Sequence, residues 1–357
     1  MKKFLASAAL VTAAALALSG CGTPTEPNET PSNDNTPAAS FLACMVSDQG
    51  GFDDKSFNQS GFEGLKKAET DLGVSINWAE SQNASDFEPN LASMQAQECD
   101  LTITVGFMLA GATQTQAEEF PNTQFAIVDD NSIVLPNVKP LVFKTSDAAF
   151  LGGYLAAAYS KTGKVATFGG MPIPSVTIFM DGFVDGVARY NEDFQAEVEV
   201  LGWDKTTQNG SFTGDFEDQS KGQNTTKNFI DQGADVVMPV AGPVGLGAAA
   251  AAKEAGNVAI IWVDADGYDS VIQYKDLFLT SVMKQIGASV FDTIKEAQAG
   301  NFSNAPYIGT LANGGVGIAP LHDFEDAVSQ EVKDKVAQLA EDIASGALVV
   351  TSPSDPK

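Results

Sequence analysis

The stretch from Asp48 to Gln59, DQGGFDDKSFNQ, carries the densest set of side chains able to contact a small molecule. Its glycines allow the backbone to turn tightly or to approach a ligand closely. Phe57 and Asn58 suit a planar heterocycle, because an aromatic ring can stack on it and an amide offers a donor and an acceptor to its edge. The alternative is that Phe57 belongs to the core and Asn58 is a local cap. The residues alone leave both interpretations open.

Metal, phosphate and hydrolytic chemistry are poorly supported. Asp48, Asp53 and Asp54 lack the spacing and the terminal glutamate of an EF-hand. The glycines at 241–247 are not followed by the Lys-Ser or Lys-Thr of a phosphate-binding loop. His322 is the only histidine, which argues against multi-histidine zinc sites and Ser-His-Asp catalysis. We therefore expect no metal, no cofactor and no enzymatic activity.

The elements that must position these residues follow an alternating pattern. Short apolar, β-branched runs predict strands at 41–47, 75–79, 101–105, 124–128, 164–168, 197–202, 235–240, 258–263 and 277–281. Segments of helical period predict helices near 57–72, 110–119, 147–160, 176–191, 219–232, 244–255, 283–299 and 327–345. Ser56 is the predicted N-cap of the first helix. Such alternation indicates parallel sheets with helices on both faces.

Ligands of open parallel sheets bind beyond the carboxyl ends of the strands. The residues that follow the predicted strands are rich in acids, glycines and aromatics: Asp48, Gly106, Phe107, Asp129, Asp130, Gly169, Gly170, Trp203, Ala241, Gly242, Asp264, Asp266 and Lys284. A single aspartate at such a position is more often a helix cap than a ligand. Three of them together favour a binding site at this edge.

The charge balance limits the choice of ligand. The chain has 46 acidic against 20 basic residues and a formal net charge of −26. This charge disfavours binding to nucleic acid and to anionic lipid head groups. Arg189 is the only arginine, and bidentate phosphate recognition favours arginine, so an uncharged ligand is favoured over a phosphorylated one.

The start of the chain predicts export. Lys2 and Lys3 precede an apolar run over 4–18, and small residues then lead to Cys21, as in a bacterial lipobox. The run is shorter than the ~20 residues that a membrane span needs. We therefore predict a lipoprotein signal peptide over 1–20 and a lipid anchor on Cys21 at the extracytoplasmic face of the cell membrane.

A flexible tether is predicted over residues 21–40, which contain almost nothing apolar. The folded part starts at about Phe41 and is long enough for two domains. Cys44 and Cys99 adjoin two predicted strands that could be neighbours, and export permits a disulfide between them. Two separate buried thiols are the alternative.

Taken together, these features resemble the basic membrane protein (BMP) family of substrate-binding lipoproteins, whose characterised members bind purine nucleosides for ABC transporters. The resemblance covers nearly all of 41–350. It rests on Asp48 with DKSFNQ at 54–59, FAIVD at 125–129, FLGGYLA at 150–156, Gly182-Phe183 with Gly186-Val187, GADVV at 233–237 and VDAD at 263–266.

The resemblance implies an α/β protein with the type I periplasmic-binding-protein fold, in which two doubly wound parallel-sheet lobes are joined by a three-segment hinge. The implied N-terminal lobe comprises 41–143 plus 266–311. The implied C-terminal lobe comprises 144–265 plus 312–351.

The resemblance also implies the ligand contacts. Phe57 and Phe212 would sandwich the base, with Phe216 as the alternative to Phe212. The other implied contacts are Asn58 and Asp129 at the base edge, Asp264 and Lys284 at the ribose hydroxyls, Asp48 in the same pocket, and the backbone near Gly242, where the proline at 243 departs from the expected run of small residues.

The implied function is capture of a purine nucleoside for an ABC permease and its ATPase by a monomeric, membrane-tethered protein. One alternative is the same fold binding another uncharged solute, such as a sugar or small metabolite. The other is a lipoprotein that senses its ligand. A nucleoside hydrolase is disfavoured, because the aspartates at 48, 53 and 54 lack the Asp-x-Asp-x-x-x-Asp-Asp spacing of that class.

Overall fold

The computed structural model of the protein describes residues 41–356. Three predictions concern residues outside the described ones: the signal peptide, the lipid anchor on Cys21 and the tether. The structure therefore describes the predicted folded part of the chain, from Phe41 to Pro356.

The strands alternate with helices along most of the chain. The strands are β1 Leu42–Ser47, β2 Ser75–Ala79, β3 Leu101–Val105, β4 Gln124–Val128, β5 Val138–Phe143, β6 Lys164–Gly169, β7 Glu199–Leu201, β8 Trp203–Asp204, β9 Asn209–Gly210, β10 Val236–Val240, β11 Ala259–Asp264, β12 Phe278–Lys284, β13 Tyr307–Gly309 and β14 Val316–Ile318. The helices are α1 Phe57–Leu72, α2 Phe87–Ala96, α3 Ala110–Glu119, α4 Thr145–Tyr159, α5 Pro174–Phe194, α6 Gln219–Asp231, α7 Val244–Ala255, α8 Gly267–Ser270, α9 Ile286–Gln298 and α10 Gln330–Ser345. Short 3₁₀ turns lie at Ala84–Asp86, Phe107–Leu109, Ile272–Leu277 and His322–Phe324.

Two six-stranded sheets organise these elements within the described residues. The first has the strand order β2-β1-β3-β4-β5-β13, and the second has the order β7-β6-β10-β11-β12-β14. The pairs are parallel in both sheets except for β14, which runs antiparallel to β12. Helices cover both faces, so central strands such as β3 and β10 are buried along their whole length. The predicted fold class is confirmed: each sheet with its helices forms one doubly wound lobe.

The chain crosses between the lobes three times, after β5, after β12 and between β13 and β14. Residues 266–311 were predicted to belong to the first lobe. This is wrong for β12, which pairs in parallel with β11 in the second sheet. The return to the first lobe falls between Lys284 and Ile286, and α9 then packs on α1 of that lobe. Alternation along the sequence predicts that a strand forms, but it carries no information about which sheet the strand joins.

Glycines permit the most extensive helix–helix packing in the second lobe, that of α4 with α5. A Cβ atom on Gly186 would lie 1.9 Å from the carbonyl oxygen of Phe150, and one on Gly153 would lie 2.1 Å from that of Phe183. These glycines belong to segments that carry the family resemblance. Their role in this structure is helix packing.

The two remaining cysteines are joined. Cys44 in β1 and Cys99 just before β3 form a disulfide with a Cα–Cα distance of 6.0 Å. Both residues are buried against α2 in the first lobe. The bond therefore links β1 to the segment before the neighbouring β3, on the face of the sheet that α2 covers.

Candidate ligand-binding site

The carboxyl ends of the two sheets face each other across a cavity whose empty space, part of it open to solvent, is about 510 Å³. Clefts between two lobes are a preferred location for small-molecule sites. The first lobe lines it with Asp48, Gln49, Asp54, Phe57, Asn58, Gly106, Phe107 and Asp129. The second lobe lines it with Ile173, Ser175, Val176, Phe179, Phe216, Val240, Ala241, Gly242, Pro243, Asp264 and Lys284. Seven of the eight predicted ligand residues, all but Phe212, therefore share one cavity.

The start of α1 is fixed by Asp54. Its carboxylate accepts hydrogen bonds from the backbone N–H groups of Ser56, Asn58 and Gln59, at 2.9, 2.8 and 3.0 Å. Ser56 occupies the predicted N-cap position, but its side chain makes no cap hydrogen bond, and the carboxylate of Asp54 takes that role. Because Asp54 satisfies the free N–H groups, Phe57 and Asn58 are held at the cavity wall in the first helical turn.

Asn58 lines the cavity and has one acceptor without a partner in the described structure. Its Nδ2 donates to Asp48 Oδ1 at 3.0 Å and to the carbonyl oxygen of Gln49 at 3.2 Å, which fixes the orientation of the amide. Its Oδ1 is buried and has no hydrogen-bond partner in the described structure. A buried acceptor without a partner is unfavourable, and a ligand N–H or O–H group would satisfy it.

Asp48 lies deep in the cavity while keeping part of its surface open to it. Burial raises the pKa of this carboxyl to about 8, despite the opposing hydrogen bond from Asn58. The neutral acid is therefore populated near neutral pH and can donate as well as accept a hydrogen bond. Gly106 is required beside it, because a Cβ atom there would lie 2.0 Å from Asp48 Oδ2.

Lys284 joins the two lobes at the floor of the cavity. Its Nζ lies 2.6 Å from Asp129 Oδ2 of the first lobe and 3.1 Å from Asp264 Oδ1 of the second. The same ammonium lies over the ring of Phe57, 4.6 Å from the centroid, and 5.2 Å from that of Phe179. Burial lowers the pKa of Lys284, but the two carboxylates outweigh it and leave the pKa raised, so the lysine stays charged.

Phe212 does not line the cavity. Its ring packs edge-on against Trp203 with centroids 5.9 Å apart, and its Cε1 lies 2.7 Å from where a Cβ of Gly169 would be. Phe216, four residues later, lines the cavity instead. The pairing of residue 212 with Gly169 at the end of β6 turns the first phenylalanine into the lobe and leaves the second at the cleft.

Gly242 and Pro243 lie where the second lobe approaches the first. Gly242 has a left-handed backbone with φ of 51°, and Pro243 Cγ is 3.3 Å from the Cβ position of Gly50 across the cleft. The proline that departs from the family pattern is thus an interlobe contact at the cavity mouth.

The apolar wall from α5 was not anticipated by sequence reasoning. Ile173, Val176 and Phe179 line the cavity together with Ser175. The available signal was their position just after Gly169 and Gly170, since the first turns of a helix that follows a strand also face the cleft.

Two possible features do not occur in the described part of the chain. Within residues 41–356, no three His, Cys, Asp or Glu side chains are arranged to hold a metal ion. Within the same residues, no helix is both long and apolar enough to cross a membrane.

Two doubly wound lobes, a hinge crossed three times and a cavity between opposed strand ends define a solute-binding protein of the periplasmic-binding-protein type. Residues 41–352 match the model of the Bmp family, described as ABC transporter substrate-binding protein PnrA-like. The chain therefore belongs to the Bmp family of ABC transporter substrate-binding proteins, and it is a binding protein rather than an enzyme.

Individual relatives agree with this assignment. The ABC transporter nucleoside-binding protein BmpA of Lactococcus lactis is 30% identical over 98% of this chain and 99% of its own length. Basic membrane protein A of Borreliella burgdorferi is 27% identical over 85% of this chain and 86% of its own. Among solved structures, an ABC transporter solute-binding protein from Aeropyrum pernix K1 aligns with a TM-score of 0.79 and 25% identity, covering 88% of this chain and 94% of that one.

Proposed function

We propose that this protein captures a purine nucleoside in the interlobe cavity and delivers it to an ABC permease and its ATPase. The observation that carries the proposal is the Phe57–Asn58 pair, an aromatic ring beside a buried and unpartnered amide oxygen. A purine offers a flat face to the ring and donor groups to the amide. The nucleoside-binding description of the Lactococcus relative supports the same ligand class.

The ribose would lie toward Lys284 and Asp264. A vicinal diol offers two O–H donors to carboxylate oxygens, and the ammonium donates to hydroxyl oxygens. Asp129 and Asp48 would meet the base or its substituents. The cavity contains several carboxyl groups and a single lysine, and Arg189 lies outside it, so phosphates are disfavoured.

Binding would proceed with closure of the lobes. Ligand held by Phe57 and Asn58 of the first lobe completes its contacts with the second lobe, which favours the closed state because that state binds it better. We further propose that Cys21 carries a lipid anchor that tethers a monomer to the outer face of the cell membrane. Membrane fractionation of the full chain and a Cys21→Ser variant tests the anchor, and retention of the variant in the membrane would contradict it.

A ligand panel tests the proposal. Calorimetry on the folded part would compare adenosine, guanosine, inosine, uridine, ribose, adenine and AMP. We expect purine nucleosides to bind with far higher affinity than ribose or AMP. Tight ribose binding with no gain from the base would favour a sugar-binding protein of the same fold, and no response to any nucleoside would reject the proposal.

A further inference from the structure

The turn before α1 makes hydrogen bonds that cross from one lobe to the other without lining the floor of the cavity. The hydroxyl of Ser56 lies 2.9 Å from Asp264 Oδ2 and 3.0 Å from the carbonyl oxygen of Val263. The indole Nε1 of Trp262 donates to the carbonyl oxygen of Lys55 at 3.2 Å. Ser56 and Lys55 belong to the first lobe, whereas Trp262, Val263 and Asp264 belong to β11 of the second.

We infer that Ser56 and Trp262 form an interlobe latch, a pair of positioning residues that stabilise the closed state and so set ligand affinity and residence time. These hydrogen bonds exist only while the lobes are together, because their donors and acceptors lie on different lobes. Neither residue lines the ligand cavity. Their effect on the ligand therefore passes through the lobe arrangement and through Asp264.

Burial gives the latch its strength. Ser56 and Trp262 are both completely buried, so water cannot replace their hydrogen bonds while the cleft is closed. When the lobes separate, water can hydrogen-bond to the hydroxyl of Ser56, to the indole N–H of Trp262 and to their acceptors. Loss of the Ser56 hydroxyl should therefore destabilise the closed state more than the open one.

The latch also connects the two halves of the ligand site. Ser56 directly precedes Phe57 and Asn58, and its Oγ contacts the carboxylate that lies 3.1 Å from Lys284. Asp264 has a left-handed backbone with φ of 69°, which is costly for a residue other than glycine. The Ser56 hydrogen bond holds this carboxylate in place, so closure and orientation of Asp264 occur together.

Ser56→Ala is the direct test, and Ser289→Ala is its matched control. Ser289 is also buried, but its hydroxyl donates to Ile286 within the first lobe. With inosine and adenosine as probes, we expect Ser56→Ala to weaken affinity about tenfold through faster dissociation, with a nearly unchanged association rate. Ser289→Ala should leave both rates as in the wild type.

A second pair of variants, at two tryptophans, distinguishes an effect on the interlobe latch from a general loss of folding stability. Trp262→Phe removes the Nε1–H that reaches Lys55, whereas Trp203→Phe removes one that donates to Asp181 within the second lobe at 2.9 Å. Both variants lose buried volume and should melt at lower temperature. Only Trp262→Phe should also speed nucleoside dissociation. Equal dissociation rates in the two tryptophan variants would overturn the latch.

The affinity measurements rest on the proposed function, because they need a nucleoside that binds. Small-angle X-ray scattering does not, because it measures the radius of gyration with or without a ligand. If the wild type binds the probes, saturating probe should reduce the radius of gyration of the wild type more than that of Ser56→Ala. If the wild type binds no nucleoside, the proposed function fails, and the unliganded proteins decide the latch. A larger radius of gyration for Ser56→Ala than for the wild type and Ser289→Ala would then support it, and equal radii would reject it.

Discussion

The first five strands have the same order and direction in the two sheets, but the two lobes contribute different chemistry to the cleft. The central strands β1, β3, β4 and β5 of the first sheet correspond in order to β6, β10, β11 and β12 of the second. Asp129 directly follows β4, and Asp264 ends β11, the matching strand. Both have left-handed backbones, with φ of 64° and 69°, and both contact Lys284.

The turns after the first strand of each lobe differ sharply. After β1, the first lobe presents Asp48, Asp54 and Asn58, a hydrogen-bonding surface. After β6, the second lobe presents Ile173, Val176 and other apolar side chains of α5. The first lobe thus supplies a hydrogen-bonding wall that also holds the ring of Phe57, and the second supplies an apolar wall, which together suit a flat ring with polar groups at its edge.

Removing the lysine shared by the two aspartates should have the largest effect. Lys284→Met leaves Asp129 and Asp264 buried without a cation, which costs about 3–5 kcal/mol of folding stability and should abolish nucleoside binding. Thermal unfolding and calorimetry would measure both losses. Lys139→Met is the control, since that buried lysine pairs with the half-exposed Glu296. Similar small losses in the two variants would contradict the central role of Lys284.

The aromatic residues of the two lobes can be compared by truncation. Phe57→Ala should reduce nucleoside affinity by about 10- to 100-fold, the value of a base–aromatic stack, with little change in melting temperature. Phe216→Ala should also lose affinity, whereas Phe212→Ala should mainly lose stability through its contact with Trp203. Isothermal titration would distinguish them. Unchanged affinity in Phe57→Ala would return that residue to the core interpretation.

The equivalent aspartates should differ in what they recognise. Asp264→Asn should weaken ribosides about tenfold more than free bases, because its carboxylate is proposed to meet the ribose. Asp129→Asn should weaken nucleosides and bases alike. Affinities for adenosine and adenine provide the measurement. If Asp264→Asn lowered both affinities equally, the ribose assignment would not stand.

The folding stability that Asp48 contributes, in the polar wall of the first lobe, should depend on pH. Because burial raises the pKa of Asp48 from 3.8 to about 8, the folded state binds a proton that the unfolded chain has released between these values. The contribution of Asp48 to stability therefore falls as pH rises through this window. Asp48→Asn should melt at a higher temperature than the wild type at about pH 8, and this difference should shrink toward about pH 4.

Melting curves across this pH range would test the prediction. Asp53→Asn is the control, because that aspartate side chain is 88% exposed, and it should follow the wild type. A wild-type-like pH profile for Asp48→Asn would show that Asp48 titrates as an ordinary carboxyl.

Local patterns predicted much of the fold. The bounds of α1, α3 and α7 agree with the helical periodicity, because each helix buries residues that recur three or four positions apart. β5 was missed, because Pro140 lies within it and proline is unfavourable in a sheet interior. The structure accommodates this proline because β13 pairs with β5 only from Leu141 onward.

Local sequence patterns were sufficient to predict that strands and helices alternate, that acids and Lys284 lie near the strand ends, and that Phe57 and Asn58 start a helix. These properties depend on neighbours within a few residues. Three features had to be seen in the folded chain: β12 joins the second sheet, Phe216 rather than Phe212 lines the cavity, and the Ser56 hydroxyl bonds across the cleft rather than to the backbone of α1. Each depends on contacts with residues far along the chain, such as Asp264, 208 positions from Ser56, and periodicity carries no information about them.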